Sequence, residues 1–305
     1  MKRSAAGIVD AGAAAAGMFA VNAWAVARLD LATLGAFAVL LTLLVFAAAI
    51  PQQYVYASVL AFSVDEPERS RLGVFRQALR WGVGPTGVAL ALSIVAGSIA
   101  AVAELGVSAW LLTAFAAAVG TQALQLFSRQ ILHYSGLGSR AALLSSMRAV
   151  VTVAWLVGSH IIAVDDVVAA FFALTAGNLV VVVALWLRTA ATEAVHLDRM
   201  DVVARGRVLL VAALLPLGAM YIATQVIFLL GGSDVLGQAE AARLVAQPIL
   251  VGATGLALVF DPLIMQAGRS GSRSGAVRHR RTYLLLLAGG TTAFAAVLFI
   301  PAVWS

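Results

Sequence analysis

The chain has 305 residues, of which 62% are hydrophobic and 11% charged, with a mean hydropathy of +0.98. A soluble domain carries about 25% charged and about 45–50% apolar residues, so an ordinary globular enzyme is excluded and a membrane protein is implied. The formal net charge of +6 sits in short membrane-flanking loops, not on a nucleic-acid-binding surface, and the absence of cysteine removes disulfides and cysteine-ligated metals.

Transmembrane barrels alternate apolar and polar residues, whereas Leu31–Val64 and Val208–Ser233 contain no charge at all. The spans are therefore helical. A crossing helix needs roughly 20 apolar residues. Cutting at the charged clusters predicts nine: residues 6–27, 31–53, 82–103, 106–128, 142–163, 167–187, 208–231, 238–262 and 283–303. The second apolar run reaches Val64, too short to cross twice, and reads as one span that Pro51 bends or ends. Lys2-Arg3 before an apolar stretch imitates a signal peptide, but Asp10 interrupts it and the stretch is long, which favours a first span.

Short cytoplasmic loops collect Lys and Arg. With these spans, all but Arg28 and Arg243 of the 20 basic residues fall on one side, and Asp30, Glu104, Asp165, Asp166 and Asp234 on the other. The expectation is an all-α, multi-pass protein of the inner or plasma membrane with a cytoplasmic N-terminus. The connection Arg188–Arg207 is the longest and could form an amphipathic surface helix. It divides the chain into a six-span lobe (1–187), a cytoplasmic linker (188–206) and three spans of a second lobe (207–305). Val26–Gly35 and Phe228–Gly237 echo one another, each at a tight outer turn between two spans. Such internal repeats are common in secondary transporters.

At that turn a family resemblance emerges. Asp10, Ala27-Arg28-Leu29 and Leu34-Gly35-Ala36-Phe37 resemble the opening of the polysaccharide-export, Wzx-like branch of the multidrug/oligosaccharidyl-lipid/polysaccharide flippase superfamily. Arg129–Tyr134 through Ser139-Arg140-Ala141-Ala142 resembles the segment after its fourth span. Leu236–Arg243 and Phe260-Asp261-Pro262 resemble the start of its second lobe. The resemblance implies alternating access between two helical lobes that carries lipid-linked saccharide from the inner to the outer leaflet. Members usually have twelve or more spans, so this chain resembles a shortened one, with one full six-helix lobe and part of a second. The implied partners are membrane lipids, a polyprenyl-linked saccharide as cargo, and glycan-assembly proteins or a second transporter chain. No nucleic acid and no cofactor are expected.

Charges inside lipid are costly and mark functional positions. Glu240, Gln247, Thr254 and Asp261 recur every seven residues, with Arg243 three after Glu240, placing a polar stripe on one face of the eighth span. Arg243 offers a bidentate donor to phosphate, while Glu240 and Gln247 suit sugar hydroxyls; the alternative is an i,i+3 ion pair near the interface. Arg28 either meets phosphate at a cleft mouth, pairs with Asp30, or reaches the headgroups. Asp10 is a candidate for ion coupling or a simple interfacial acid. Gln122, Gln125 and Arg129 make a second stripe in the fourth span, and Tyr221 and Gln225 share a face in the seventh. Ligand contact and interhelical hydrogen bonding explain these about equally. His133, His196 and His279 fall in or near cytoplasmic loops, His160 near the outer edge, and none has a second ligand at metal spacing. Phosphate-loop, zinc-protease and nucleophile-elbow motifs are absent, so no enzyme activity is expected. The alternatives to the flippase are a cation-coupled small-molecule exporter of the same superfamily and a non-transporting subunit of a glycan-assembly complex.

Overall fold

The computed structural model describes residues 2–63, 66–67, 70–104, 108–189 and 197–298. Among them there are helices and short connections and no strand. The helices are α1 (Lys2–Arg28), α2 (Leu31–Pro51), α3 (Ala57–Ser63), α4 (Val74–Glu104), α5 (Ala109–Tyr134), α6 (Gly138–Ile161), α7 (Asp166–Arg188), α8 (Arg199–Arg269) and α9 (Arg273–Leu298). The protein is an all-α polytopic bundle, as the composition requires.

Acids and a serine at the helix starts are caps. Asp30 accepts Thr33 N at 2.9 Å, Ser108 accepts Leu111 N at 3.0 Å, Asp165 accepts Val167 N and Val168 N at 3.0 Å, and Asp198 accepts Met200 N at 2.7 Å. Each satisfies amide groups that an unfinished first turn would leave bare.

Leu31–Pro51 shows no polar side, and the whole stretch Leu31–Ser63 is largely enclosed, as expected for a helix with little polar surface to show. Pro51 does not end it. A π-turn, Gln52–Tyr56, follows at once, with Ala57 N–H bonded to Gln52 O, and the helix resumes as α3. The π-turn absorbs the disruption that proline causes in an α-ladder.

Among the described residues, seven stretches are long and apolar enough to cross a membrane, the last being Arg199–Leu244 with 46 residues. At 1.5 Å per residue that stretch would be about 69 Å long, roughly twice a hydrocarbon core. Gly232, with φ 81° and ψ 175°, breaks it. Gly206 lies against Tyr54, Gly237 against Leu31, and Met265 accepts a hydrogen bond from Tyr134. The chain thus runs from the arginine-rich end to the acidic end and back, so α8 contains both the seventh and the eighth expected spans, and α9 holds the ninth as far as Leu298, the rest lying outside the described residues. Residues 199–207, expected in a surface helix, instead continue straight into the seventh span. Residues 190–196 lie outside the described residues.

α1 packs on α6, α7 lies between α5 and α6, and α2 lies between α4 and α8. One core, around Val21, Phe37, Leu44, Phe115 and Phe171, fills the acidic half of the first six spans. A second, at the arginine-rich end, stacks Tyr56 and Phe75 on the two faces of Phe127 at 4.8 and 5.6 Å between ring centroids.

α2 meets α8 through glycine. A Cβ on Gly35 would overlap the Ser233 carbonyl, and one on Gly237 the Leu31 carbonyl. Leu31 and Ser233 hold the same place in the two echoed segments, as do Gly35 and Gly237. The contact is therefore reciprocal, the sixth residue of each segment meeting the tenth of the other, as across a local two-fold axis. Gly206, against the Tyr54 carbonyl, makes a third close approach at the arginine-rich end.

Candidate functional site

The polar residues of the first six spans gather into one buried network. Asp10 on α1 has no exposed surface. Its Oδ2 accepts Arg129 Nη2 at 2.8 Å and His133 Nε2 at 2.8 Å, and its Oδ1 accepts Arg129 Nε at 3.3 Å and the Ser145 hydroxyl. Arg129 and His133 are one helical turn apart on α5 and point the same way. Deeper in, Arg148 of α6 donates from Nη1 to the Ala14 carbonyl and from Nε to Asn178 Oδ1, both at 2.9 Å. Asn178 of α7 passes the chain on, donating to Gln122 Oε1 at 3.0 Å and Thr121 Oγ1 at 3.3 Å. Four helices are tied together by side chains a water-soluble protein would place on its surface.

These contacts correct the loop assignments made from sequence. The connection between α5 and α6 is only Ser135, Gly136 and Leu137, so Arg129 and His133 belong to α5, while Arg148 lies within α6 as the expected fifth span had it. Arg129 and Arg148 are 5% and 3% exposed. A cut at charged clusters ends a span at an arginine, because an unpaired guanidinium is costly in lipid. Here Asp10 meets that cost for Arg129, and α5 runs on. The signal that would have found the network is the Ser145, Arg148, Thr152, Ser159 spacing on α6, a polar face matching that of α5.

Of the predicted site residues, Asp10 and Gln122 join this network. Gln125, 2% exposed, has a buried Nε2 without a partner among the described residues, and so has Gln225. Tyr221 stacks on Phe46 of α2 at 5.7 Å. Arg28 does not pair with Asp30, which caps α2; its guanidinium lies 3.6 Å from Asp166, 3.3 Å from His160 Nδ1 and over the Trp24 ring at 5.7 Å. Thr33 also donates its hydroxyl to Asp30 at 3.0 Å, and these two bonds hold the Asp30 carboxyl below its ordinary pKa. Glu240 and Arg243 form the i,i+3 pair, Arg243 Nε lying 2.8 Å from Glu240 Oε2. The Gln247 side chain lies outside the described residues. The predicted residues thus fall into a buried network, a cluster at the acidic end and pairs along α8, not into one pocket.

This bundle of apolar spans superposes on solved structures of membrane transporters. A MOP superfamily transporter from Pyrococcus furiosus, described as having a binding pocket of reverse polarity that suggests a different function, matches 99% of this chain over 73% of its own, with a TM-score of 0.66 and 18% identity. An outward-facing multidrug resistance MATE family transporter of the same superfamily matches 99% over 74%, with a TM-score of 0.64 and 16% identity. A MATE protein in complex with MaD5 matches 97% over 71%, with a TM-score of 0.66 and 16% identity. The chain has the fold of these transporters. No family model and no curated protein matches the sequence.

Proposed function

We propose that the protein moves an anionic lipid-linked saccharide from the inner to the outer leaflet by alternating access. The observation that carries this reading is the charge balance of the first six spans, where two buried guanidiniums, Arg129 and Arg148, face one carboxylate, Asp10. The surplus is cationic and favours a phosphate-bearing cargo over a cationic one. Arg28 and Arg243, both exposed, are the proposed phosphate contacts. Gln125 and Gln225, whose amide donors lack partners among the described residues, are the proposed contacts to saccharide hydroxyls, with Gln122, Tyr221, Glu240 and Gln247 beside them.

Asp10 is the proposed coupling group. A sodium ion there would have to displace Arg129, whereas a proton needs only the His133 hydrogen bond to rearrange. The test is the leaflet location of lipid-linked saccharide in cells lacking the gene. Accumulation on the cytoplasmic face is expected, relieved by wild type and poorly by Arg243→Ala. A normal distribution without the gene overturns the reading.

A second reading, a cation-coupled exporter of small molecules, is favoured by Asp261. This carboxylate of α8 makes no ion pair or hydrogen bond among the described residues, and the multidrug resistance transporter above shares the fold. Vesicles containing the purified chain decide between the two. Ion-driven efflux of a lipophilic cation, lost in Asp261→Asn, establishes the exporter.

A further inference from the structure

At the acidic end of the first six spans lies a cavity of about 1260 Å³ with two chemically distinct parts. Its flank, formed by Val151, Ala154 and Trp155 of α6 and Phe172 of α7, is hydrocarbon. Its mouth carries Thr33 of α2, Ser108 before α5, Ser159 of α6 and Asp165. Trp110, also lining it, is 70% exposed, the placement indole favours at the membrane–water boundary.

The charges around the mouth select among occupants. Asp165 lines the cavity directly, Asp166 follows it, and Asp30 is bonded to the lining Thr33. Against these three carboxylates stands one guanidinium, that of Arg28, beside Asp166 and 3.3 Å from Nδ1 of His160, the neighbour of the lining Ser159. A wholly anionic headgroup meets more repulsion than attraction here. A quaternary ammonium has no N–H to give the carboxylates. A zwitterion with a primary ammonium satisfies both signs, the phosphate toward Arg28 and His160 and the ammonium toward Asp165.

We propose that this cavity seats a phospholipid with a primary-amine headgroup, of the phosphatidylethanolamine type, its hydrocarbon chains lying along the Ala154–Trp155–Phe172 flank. The site shares only Arg28 with the proposed cargo contacts, and lipid retention reads it without reference to transport.

The test uses the full chain purified in detergent, stripped of lipid and offered phosphatidylethanolamine, phosphatidylcholine or phosphatidylglycerol with the same chains, with bound lipid counted by native mass spectrometry. The ethanolamine lipid is expected to be retained about tenfold better than either of the others, the scale of one charge-assisted hydrogen bond. Asp165→Asn keeps an amide oxygen to cap α7 and is expected to abolish that preference. Ala154→Trp, at an exposed position on the flank, is expected to lower retention of all three and leaves the headgroup charges in place, so it tests the seat even if the Asp165 variant is poorly folded. Equal retention of the three lipids, better retention of phosphatidylglycerol, or an unchanged preference in Asp165→Asn overturns the proposal.

Discussion

Replacing Asp10 by asparagine removes one charge and one acceptor atom from the network. Each carboxylate oxygen receives two donors, Oδ2 from Arg129 and His133 and Oδ1 from Arg129 and Ser145. Whichever way the amide turns, its NH2 meets an Arg129 N–H that cannot accept, and Arg129 joins Arg148 as a second buried guanidinium without a carboxylate. Removing one partner of a buried ion pair costs about 3–5 kcal/mol, a large share of the stability of any one domain. Detergent-denaturation midpoints of wild type, Asp10→Asn, Arg129→Gln and the double variant form a cycle. The single variants are each expected to lose about 3–5 kcal/mol, and the double variant markedly less than their sum, because neither then strands the other's charge. A loss below about 1 kcal/mol for Asp10→Asn, the scale of an exposed pair, would refute the claim that Asp10 neutralises the interior.

Gly177→Ala places a Cβ against Thr152 Oγ1 and the Arg148 carbonyl; separating α6 from α7 is expected to cost about 1–3 kcal/mol, read from the same denaturation curves. Gly35→Ala and Gly237→Ala obstruct reciprocal contacts and are expected to weaken the α2–α8 association to similar extents, measured by cross-linking of engineered cysteines in a chain that has none of its own; a large effect from one and none from the other would deny the local symmetry. The Asp30 cap supplies a pH dependence. Its carboxyl titrates lower in the folded protein than its ordinary value of 3.8. Its support for the start of α2 is therefore complete above that value and lost as pH falls through the folded pKa. Amide exchange in the first turn of α2 is expected to accelerate across that acid window, and to be fast and independent of pH-linked capping in Asp30→Ala.

Span positions were legible in the sequence because they depend on bulk hydrophobicity, which the residues carry individually. The ends were less so. α5 runs past its expected limit because Arg129 is stabilised by Asp10, a partner too distant in the chain for any local window to weigh. The turn at Gly232 was legible through its echo of the α1–α2 corner, whereas the π-turn after Pro51 was not, since its backbone pattern leaves no mark on composition. In the candidate site, chemistry was readable and partnership was not. Asp10 was readable as an ion-coupling or interfacial acid, but nothing in its neighbourhood named His133 or Ser145, and the Arg28–Asp30 pairing suggested by proximity gave way to one with Asp166, since the Asp30 carboxylate caps α2.

The π-turn at Gln52–Tyr56 also has a phase. Carrying one residue more than an α-turn, it rotates all that follows by about 100° relative to an uninterrupted helix. Before it, Phe37, Leu40 and Leu44 face the core shared with α1, α5 and α7; after it, Tyr56, Val59 and Leu60 face the aromatic stack with Phe75 and Phe127. A single span thereby keeps two buried faces pointed at different neighbours. Loss of one residue inside the turn would leave the backbone helical and the hydropathy nearly unchanged, yet it would swing Tyr56 off Phe127 and dismantle the arginine-rich end of the bundle through angle alone.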